Sequence, residues 1–192
     1  MLLVCTERLE LSPLSESDIP LFVGYRRHPD VARYQSWSAD FSVADAEALI
    51  ARLPRVGLPT AGEWVQLGAR ALVTGASARL LVGDVAIQRD VEQPHTFELG
   101  ITLAREHQRV GYATEALHGV IGWLMRDHDA HRIIMQGDAR NTAVLSLMRR
   151  VGLRHEGAAV EGDWFKGEWT TLERFALLRR EWLISERDSS QH

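Results

Sequence analysis

The segment QRVGYATEA, residues 108–116, is the stretch from which the fold of this chain is most readily predicted. It joins a run typical of a strand, ELGITLA (98–104), to a run typical of a helix, ATEALHGVIGWLMRDH (113–128). Such a turn leaves backbone N–H groups free at the helix start, where the helix dipole adds partial positive charge. Two arginines add full positive charge, Arg105 and Arg109. The pattern predicts a phosphate or pyrophosphate site with Gly111 allowing close approach to the backbone, although an ordinary loop would also satisfy it.

The composition is that of one globular domain without an excess of basic residues. The 192 residues are 45% hydrophobic and 25% charged, with a net charge of -4. We expect a single domain over residues 1–184 and a flexible C-terminal tail over residues 185–192. Nucleic-acid binding depends on basic patches, so the composition disfavours a nucleic-acid partner. No apolar run is long enough to span a membrane, and a cytoplasmic protein is therefore the default expectation.

The single cysteine, Cys5, lies in the apolar opening MLLVC and cannot form an internal disulfide bond. We expect a buried structural thiol there rather than a nucleophile. Cysteine and histidine residues do not cluster at the spacings of a metal site, so no metal is expected.

The order of predicted elements is a strand, two helices, three strands, a helix, a strand, a helix and two strands. Ser15 and Ser42 precede apolar runs of helical period and are read as helix N-caps, as is Asn141. The three central strands follow one another closely, which favours an antiparallel meander. Together these elements predict an α+β domain built on one mixed, mostly antiparallel sheet flanked by helices.

Several segments resemble the motifs of one enzyme family, in the right order. QRVGYA fits Q/R-x-x-G-x-G/A, and TERLELSPLSESD (6–18) resembles T-x-R-L-x-L-R-P-L-x-x-x-D. Residues 131–157 resemble H-R-x-x-A…N-x-x-S…x-G-F-x-x-E-G, and residues 164–182 resemble a closing strand pair. On these motifs the chain resembles the GNAT superfamily of acyl-CoA-dependent N-acyltransferases, and within it the RimJ/RimL-type ribosomal-protein N-acetyltransferases. The resemblance covers residues 5–183.

The resemblance implies the GNAT fold, with acetyl-CoA as the donor and CoA as a product. The pyrophosphate would lie on backbone N–H groups of the glycine loop, and the pantetheine arm would add to the edge of the ELGITLA strand. The implied CoA-binding residues are Ile101, Leu103, Gln108, Arg109, Val110, Gly111, Tyr112, Ala113, Thr114 and Asn141. For Asn141, the helix N-cap interpretation is equally good, and both roles are compatible.

The implied chemistry is attack of a neutral amine on a thioester. Glu98 is the candidate base, acting directly or through water, and the Leu103 N–H is the candidate donor to the oxyanion. A protein N-terminal amine has a pKa of about 7.7–8.0 and needs only a weak base, whereas lysine at about 10.4 needs more. We therefore expect a peptide or protein N-terminal α-amino group as the acceptor. A solvated strand residue remains the alternative for Glu98.

Two departures from the family pattern keep other functions open. Met148 stands where many GNAT enzymes carry a tyrosine that acts as general acid, and Val144 stands where this branch usually has serine. One alternative is an enzyme that acetylates a small amine, such as an aminoglycoside or a polyamine. A second alternative is a non-catalytic acyl-CoA-binding sensor.

The acceptor pocket is predicted only broadly, between the early helices and the last strands. The candidate acceptor-binding residues are aromatic: Tyr34, Trp37, Trp64 and Trp164. Core packing is the competing interpretation for each of them. A homodimer is one option that the sequence leaves open.

Overall fold

The structure is a computed structural model that describes residues 3–54, 58–72 and 79–189. The strands, in chain order, are β1 (Val4–Cys5), β2 (Leu9–Pro13), β3 (Trp64–Leu72), β4 (Arg79–Arg89), β5 (Thr96–Leu103), β6 (Arg132–Asp138), β7 (Arg154–Phe165) and β8 (Glu168–Leu178). The helices are α1 (Ile19–Arg26), α2 (Pro29–Ala32), α3 (Val43–Arg52), α4 (Tyr112–Asp127), α5 (Thr142–Arg150) and α6 (Arg179–Ser189).

The strands form one sheet in the order β1-β2-β3-β4-β5-β6-β8-β7. Neighbouring strands are antiparallel except β5 and β6, which are parallel. The chain reaches β6 from β5 through α4, because a parallel pair needs a crossover connection. The prediction of an α+β domain with a mixed, mostly antiparallel sheet is confirmed, including the antiparallel meander of β3, β4 and β5.

Helices cover both faces of the sheet. α4 and α5 lie on one face, where Leu117, Leu124 and Met148 join the larger core. α1 and α3 lie on the other face, in a smaller core around Phe22 and Ala46. Alternation along β5 sends Phe97 and Leu99 to the α4 face and thus Glu98 to the opposite face.

The predicted helix starts are present at Ser15, Ser42 and Asn141. The Ser42 backbone N–H donates to the Asp45 carboxylate at 2.8 Å, and the Asp45 N–H donates to the Ser42 hydroxyl at 3.1 Å. This reciprocal pair satisfies two donors that the first turn of α3 would otherwise leave free.

Two expectations differ from the structure. Cys5 is exposed rather than buried, because alternation along β1 sends Val4 to the core and its neighbour outward. Residues 185–189 belong to helix α6 where a loose tail was predicted. Ser185 donates to the Trp182 carbonyl, and Glu186 pairs with Arg126 at 3.2 Å, so both residues are tied to the fold. Residues 190–192 lie outside the described part.

Candidate active site

The two parallel strands in the middle of the sheet separate part of the way along. β5 and β6 pair only as far as Glu98 and Ile134. Beyond that point β5 stays paired with β4 up to Leu103, while β6 stays paired with β8 up to Asp138. The result is a V-shaped gap in the sheet with Glu98 at its apex.

The free edge of β5 in this gap can be read from the hydrogen bonds at its end. The Ala104 N–H donates to the Val82 carbonyl on β4 at 2.9 Å. Since backbone groups alternate in direction along a strand, the N–H and C=O groups of Leu103 and Ile101 face the gap. The Leu103 carbonyl already accepts from the Gln108 side chain at 3.1 Å. The gap therefore presents strand-like donors and acceptors, which an extended amide-containing chain could pair with.

The glycine loop lies beside the end of β5 and begins α4. Arg109 and Gly111 both have positive φ, of 65° and 92°, so the backbone turns sharply twice within three residues. The first helical bond runs from the Glu115 N–H to the Gly111 carbonyl at 3.1 Å. The preceding N–H groups, of residues 112–114, consequently have no partner within the helix. They lie at the positive end of the 16-residue helix α4.

The loop is also held by residues near the N-terminus, which the sequence interpretation did not single out. The Arg8 guanidinium donates to the Val110 carbonyl at 3.1 Å and pairs with Glu115 at 2.6 Å. The Thr6 hydroxyl donates to the same Glu115 carboxylate at 2.6 Å. The only sequence signal for this contact was the T-x-R motif itself. A local pattern does not indicate its partner Glu115, because that residue is 107 positions away.

Glu98 is partly buried at the apex of the gap. Burial raises the pKa of its carboxyl above the ordinary value for glutamate, and a hydrogen bond from Gln136 and the positive charge of Arg174 oppose that rise. The Gln136 amide donates to the Glu98 carboxylate at 3.2 Å. A carboxylate with a raised pKa in a cleft is a candidate proton acceptor.

Arg174 is the cation whose charge lowers the pKa of the Glu98 carboxyl. It lies on β8 directly opposite Gln136, and its side chain is exposed. No salt bridge joins it to another residue within the described part of the chain. Glu98 also lies near the carboxylate of Asp90, which raises its pKa, whereas the guanidinium of Arg174 lowers it. Gln88 and Gln136 lie on either side of Glu98.

The residues after β6 occupy the second side of the gap. The Asn141 side chain accepts from the Val144 N–H at 3.3 Å and caps α5, as predicted for an N-cap. Met148 is fully buried on α5 in the larger core and has no proton to donate. Ser146 is exposed and donates to the Thr142 carbonyl at 2.8 Å. It therefore does not supply the serine hydroxyl that is missing at position 144.

The predicted aromatic residues do not form one cluster. Trp37 is partly buried, stacks on the Arg26 guanidinium at 3.8 Å and donates to the Arg26 carbonyl at 3.2 Å. Trp164 is exposed on the β7–β8 hairpin and meets Trp169 edge to face at 5.2 Å between ring centroids. Tyr34 is partly buried beneath Arg33.

Trp64 lies at the far end of a row of paired residues that also contains Glu98. It is opposite Gln88 on β4, which is opposite Glu98 on β5. At about 4.8 Å per strand, Trp64 is roughly 10 Å from Glu98. It lines a groove of about 510 Å³ between α3 and β3. A larger groove of about 750 Å³, beside α1 and α3, contains none of the predicted site residues.

A lysine links the two walls of the predicted acceptor region. Lys166, at the tip of the β7–β8 hairpin, is the only lysine in the sequence. Its ammonium group donates to the Ala32 carbonyl at 2.6 Å and the Trp37 carbonyl at 2.7 Å. The hairpin tip is thereby attached to the end of α2 and to the segment after it. The sequence did not predict this contact.

Two further features bear on the class of the protein. Across the described ranges, no group of three or more histidine, cysteine, aspartate or glutamate residues could hold a metal ion. None of the helices described is both long and apolar enough to cross a membrane.

The fold places a split parallel strand pair beside a helix that begins after a glycine. A model of the acetyltransferase (GNAT) domain matches residues 8–154, more than half of the chain. The chain belongs to the GNAT acetyltransferase family, whose members use acetyl-CoA.

Two curated relatives are N-acetyltransferases by description. The chain is 30% identical over 88 residues to the uncharacterized N-acetyltransferase YnaD of Bacillus subtilis. The match covers 46% of this chain and about half, 52%, of that protein. It is 23% identical over 177 residues to the uncharacterized N-acetyltransferase p20 of Bacillus licheniformis, covering 92% of this chain and 96% of that one.

Solved structures share the fold. A GNAT-family acetyltransferase from Bacillus anthracis superposes with a TM-score of 0.81 at 21% identity, covering 93% of this chain and 99% of that one. A Vibrio cholerae structure whose description proposes a ribosomal-protein-serine acetyltransferase superposes with a TM-score of 0.72 at 23% identity, covering 92% of this chain and 97% of that one. Spermidine N-acetyltransferase from Vibrio cholerae, in complex with CoA and spermine, superposes with a TM-score of 0.75 at 17% identity, covering 93% of this chain and 99% of that one. The GNAT fold predicted from the sequence is confirmed.

Proposed function

We propose that this protein transfers the acetyl group of acetyl-CoA to the α-amino group at the N-terminus of a peptide or protein, in a ternary complex. The observation that carries the proposal is the gap between β5 and β6, which opens at Glu98. One side of the gap offers the free edge of β5, and the glycine loop lies at the end of the same strand. Donor binding and a candidate base therefore meet at one place.

The proposed donor site uses the backbone more than side chains. The N–H groups at the start of α4 would hold the pyrophosphate, as at other helix N-termini that bind phosphates. The backbone of Ile101 and the N–H of Leu103 would pair with the pantetheine arm. The residues around both are Gln108, Arg109, Val110, Gly111, Tyr112, Ala113 and Thr114, with Asn141 across the gap.

In the proposed reaction, Glu98 takes one proton from the protonated α-amino group of the acceptor, directly or through water. The neutral amine nitrogen then forms a bond to the thioester carbonyl carbon, and the bond from that carbon to sulfur breaks while the nitrogen loses its second proton to water. The Leu103 N–H would donate to the carbonyl oxygen as negative charge develops on it. Because Met148 has no proton to donate, the sulfur leaves as a thiolate.

The preference for an α-amine over a polyamine rests on charge. A polyamine carries several protonated amines and would need several carboxylates, whereas the charges that act on Glu98 are one further carboxylate, Asp90, and the exposed guanidinium of Arg174. Like charges repel in a cleft, so this guanidinium disfavours a polycation. The fold shared with a spermidine N-acetyltransferase keeps a small amine as the second candidate. We retain a cytoplasmic location as part of the proposal.

A thiol-release assay with acetyl-CoA tests the proposal. The acceptors are peptides with free N-termini, the same peptides with blocked N-termini, a lysine peptide, spermidine and an aminoglycoside. We expect turnover on free N-termini that disappears when they are blocked. Faster turnover on spermidine or the aminoglycoside would select the small-amine alternative. Acetyl-CoA binding without turnover on any acceptor would select the sensor, and a lack of acetyl-CoA binding would overturn the proposal.

A further inference from the structure

Glu115 lies at a position where a negative charge would oppose the proposed function. It is in the first turn of α4, next to the backbone N–H groups that would hold an anion. An acidic side chain at a helix start is usually favourable because it meets the positive end of the helix dipole. At an anion site it instead competes with the ligand for the same positive potential.

The structure neutralises this carboxylate from outside the helix. Glu115 accepts from the Thr6 hydroxyl at 2.6 Å, the Arg8 backbone N–H at 2.7 Å and the Arg8 Nε at 2.7 Å. Burial alone would raise the pKa of Glu115, but these hydrogen bonds outweigh it and hold the pKa below its ordinary value. The carboxylate therefore stays ionised, and the guanidinium cancels its charge.

A glycine in α4 lets the N-terminal segment come close enough for these contacts. Gly119 is four residues after Glu115 and so lies on the same face of the helix. A Cβ built at Gly119 would lie 2.7 Å from the Thr6 side chain and 3.4 Å from Val4. The turn that carries Thr6 and Arg8 thus packs directly on the helix backbone.

The same guanidinium also contacts the glycine loop. Arg8 Nη1 donates to the Val110 carbonyl at 3.1 Å, and the guanidinium carbon lies 5.0 Å from the centre of the Tyr112 ring. The hydrogen bond holds the Val110 carbonyl toward Arg8, and so it fixes the orientation of the planar peptide group that joins Val110 to Gly111. That peptide carries the N–H of Gly111 at the start of α4.

We propose that Arg8 is a positioning residue for the donor: it fixes the glycine loop and cancels the charge of Glu115, so that the helix start can receive the pyrophosphate of acetyl-CoA. This inference rests on the proposed function and assigns a role to a residue that lies 102 positions before the loop residue it contacts.

Kinetics with two donors test the role. S-acetylpantetheine has the reacting thioester but lacks the pyrophosphate, so it does not use the glycine loop. For Arg8→Gln we expect the KM for acetyl-CoA to rise about tenfold, the scale of one charge-assisted hydrogen bond. We expect little change in kcat and no change in kcat/KM with S-acetylpantetheine. A control is Arg79→Gln, because Arg79 on β4 pairs with Glu10 on β2 at 2.8 Å, across the intervening strand β3, and not with the loop. This variant should leave the kinetics with both donors unaffected.

The double variant Arg8→Gln with Glu115→Gln separates the two parts of the role. Removing Arg8 alone exposes the charge of Glu115, so the double variant should bind acetyl-CoA more tightly than Arg8→Gln. Equal losses with both donors would mean that Arg8 only supports the fold, and an unchanged KM for acetyl-CoA would refute the positioning role directly. A wild-type protein inactive with both donors would instead count against the proposed function.

Discussion

Glu98 combines partial burial with two groups that favour its charged form. Burial raises the pKa of its carboxyl, while the Gln136 hydrogen bond and the Arg174 charge lower it. A base must be deprotonated to act, so the balance of these effects sets the pH at which activity begins to rise. In the proposed reaction, the acidic limb of the pH profile lies above the ordinary pKa of glutamate.

Replacing Gln136 by leucine should move that limb. The variant removes a hydrogen bond to the carboxylate, so the pKa of Glu98 rises further and the acidic limb of kcat/KM shifts to higher pH. The measurement is kcat/KM between about pH 5 and pH 8, a range that ends near the pKa of an N-terminal amine. Gln88→Leu is the matched control, because Gln88 is opposite Glu98 on β4 but donates to the Gly62 carbonyl at 2.9 Å. Identical profiles for wild type and Gln136→Leu would contradict the assignment of the limb to Glu98.

The residues at the donor site follow from local sequence more directly than the others. The positive φ of Gly111 and the Asn141 cap depend on neighbouring positions in the chain, so a motif can indicate them. Glu98 could be placed on the right strand, but not at the apex of the gap. Its position there depends on where β5 and β6 stop pairing, which no local pattern encodes.

The β7–β8 hairpin is the element that closes the predicted acceptor region. Its tip is attached to the end of α2 and to the segment after it through the Ala32 and Trp37 carbonyls, which accept from Lys166. Partial desolvation of the amino group lowers the pKa of Lys166. The contact between the hairpin tip and this part of the chain thus includes two hydrogen bonds from one side chain.

Lys166→Met should loosen this attachment without affecting the donor site. We expect the KM for the acceptor to rise about tenfold, as for the loss of hydrogen bonds from a charged donor, and the KM for acetyl-CoA to stay within about twofold. Lys166→Arg, which keeps the charge and the donors, should recover part of the loss. A change in the KM for acetyl-CoA alone would show that the hairpin does not border the acceptor region.

Elements with a clear local period were predictable, whereas contacts between distant elements were not. The cap of α3 and the meander of β3, β4 and β5 were correctly predicted, because each depends on a short pattern. The contact of Lys166 with Ala32 spans 134 positions. The outward direction of Cys5 depends on which of two neighbouring residues on β1 faces the core, and an apolar run does not show this.

At the scale of the whole molecule, the smaller core depends on a buried polar network. Asp84 on β4 accepts from the Tyr25 hydroxyl at 2.5 Å and pairs with Arg26 at 3.2 Å. The Arg26 guanidinium is also enclosed by the rings of Phe22, Trp37 and Phe41. These contacts hold α1 and Trp37 against the sheet. Trp37 is one of the candidate acceptor-binding residues, so the network also fixes its position.

Asp84→Ala should destabilise the fold strongly. It leaves the Arg26 charge buried without its partner, which costs about 3–5 kcal/mol, and the Tm should fall by roughly 10 °C. Thermal and denaturant unfolding measure the effect. Asp40→Ala is the control, since Asp40 is exposed and accepts only from the neighbouring Ser38 in the described structure. Equal stability of the two variants would show that the network does not hold α1 in place.

Acetyl transfer by Glu98→Gln, compared with Glu92→Gln, tests the central claim most directly. Glu92 is exposed in the loop between β4 and β5 and serves as the control. With acetyl-CoA and a free N-terminal peptide near pH 7, we expect Glu98→Gln to lose about 100-fold in kcat with unchanged acetyl-CoA binding. The loss should shrink near pH 9, where the acceptor amine is already neutral. Full activity of Glu98→Gln near pH 7, with acetyl-CoA binding intact, would contradict the assignment of the base and of the reaction centre at the apex of the gap.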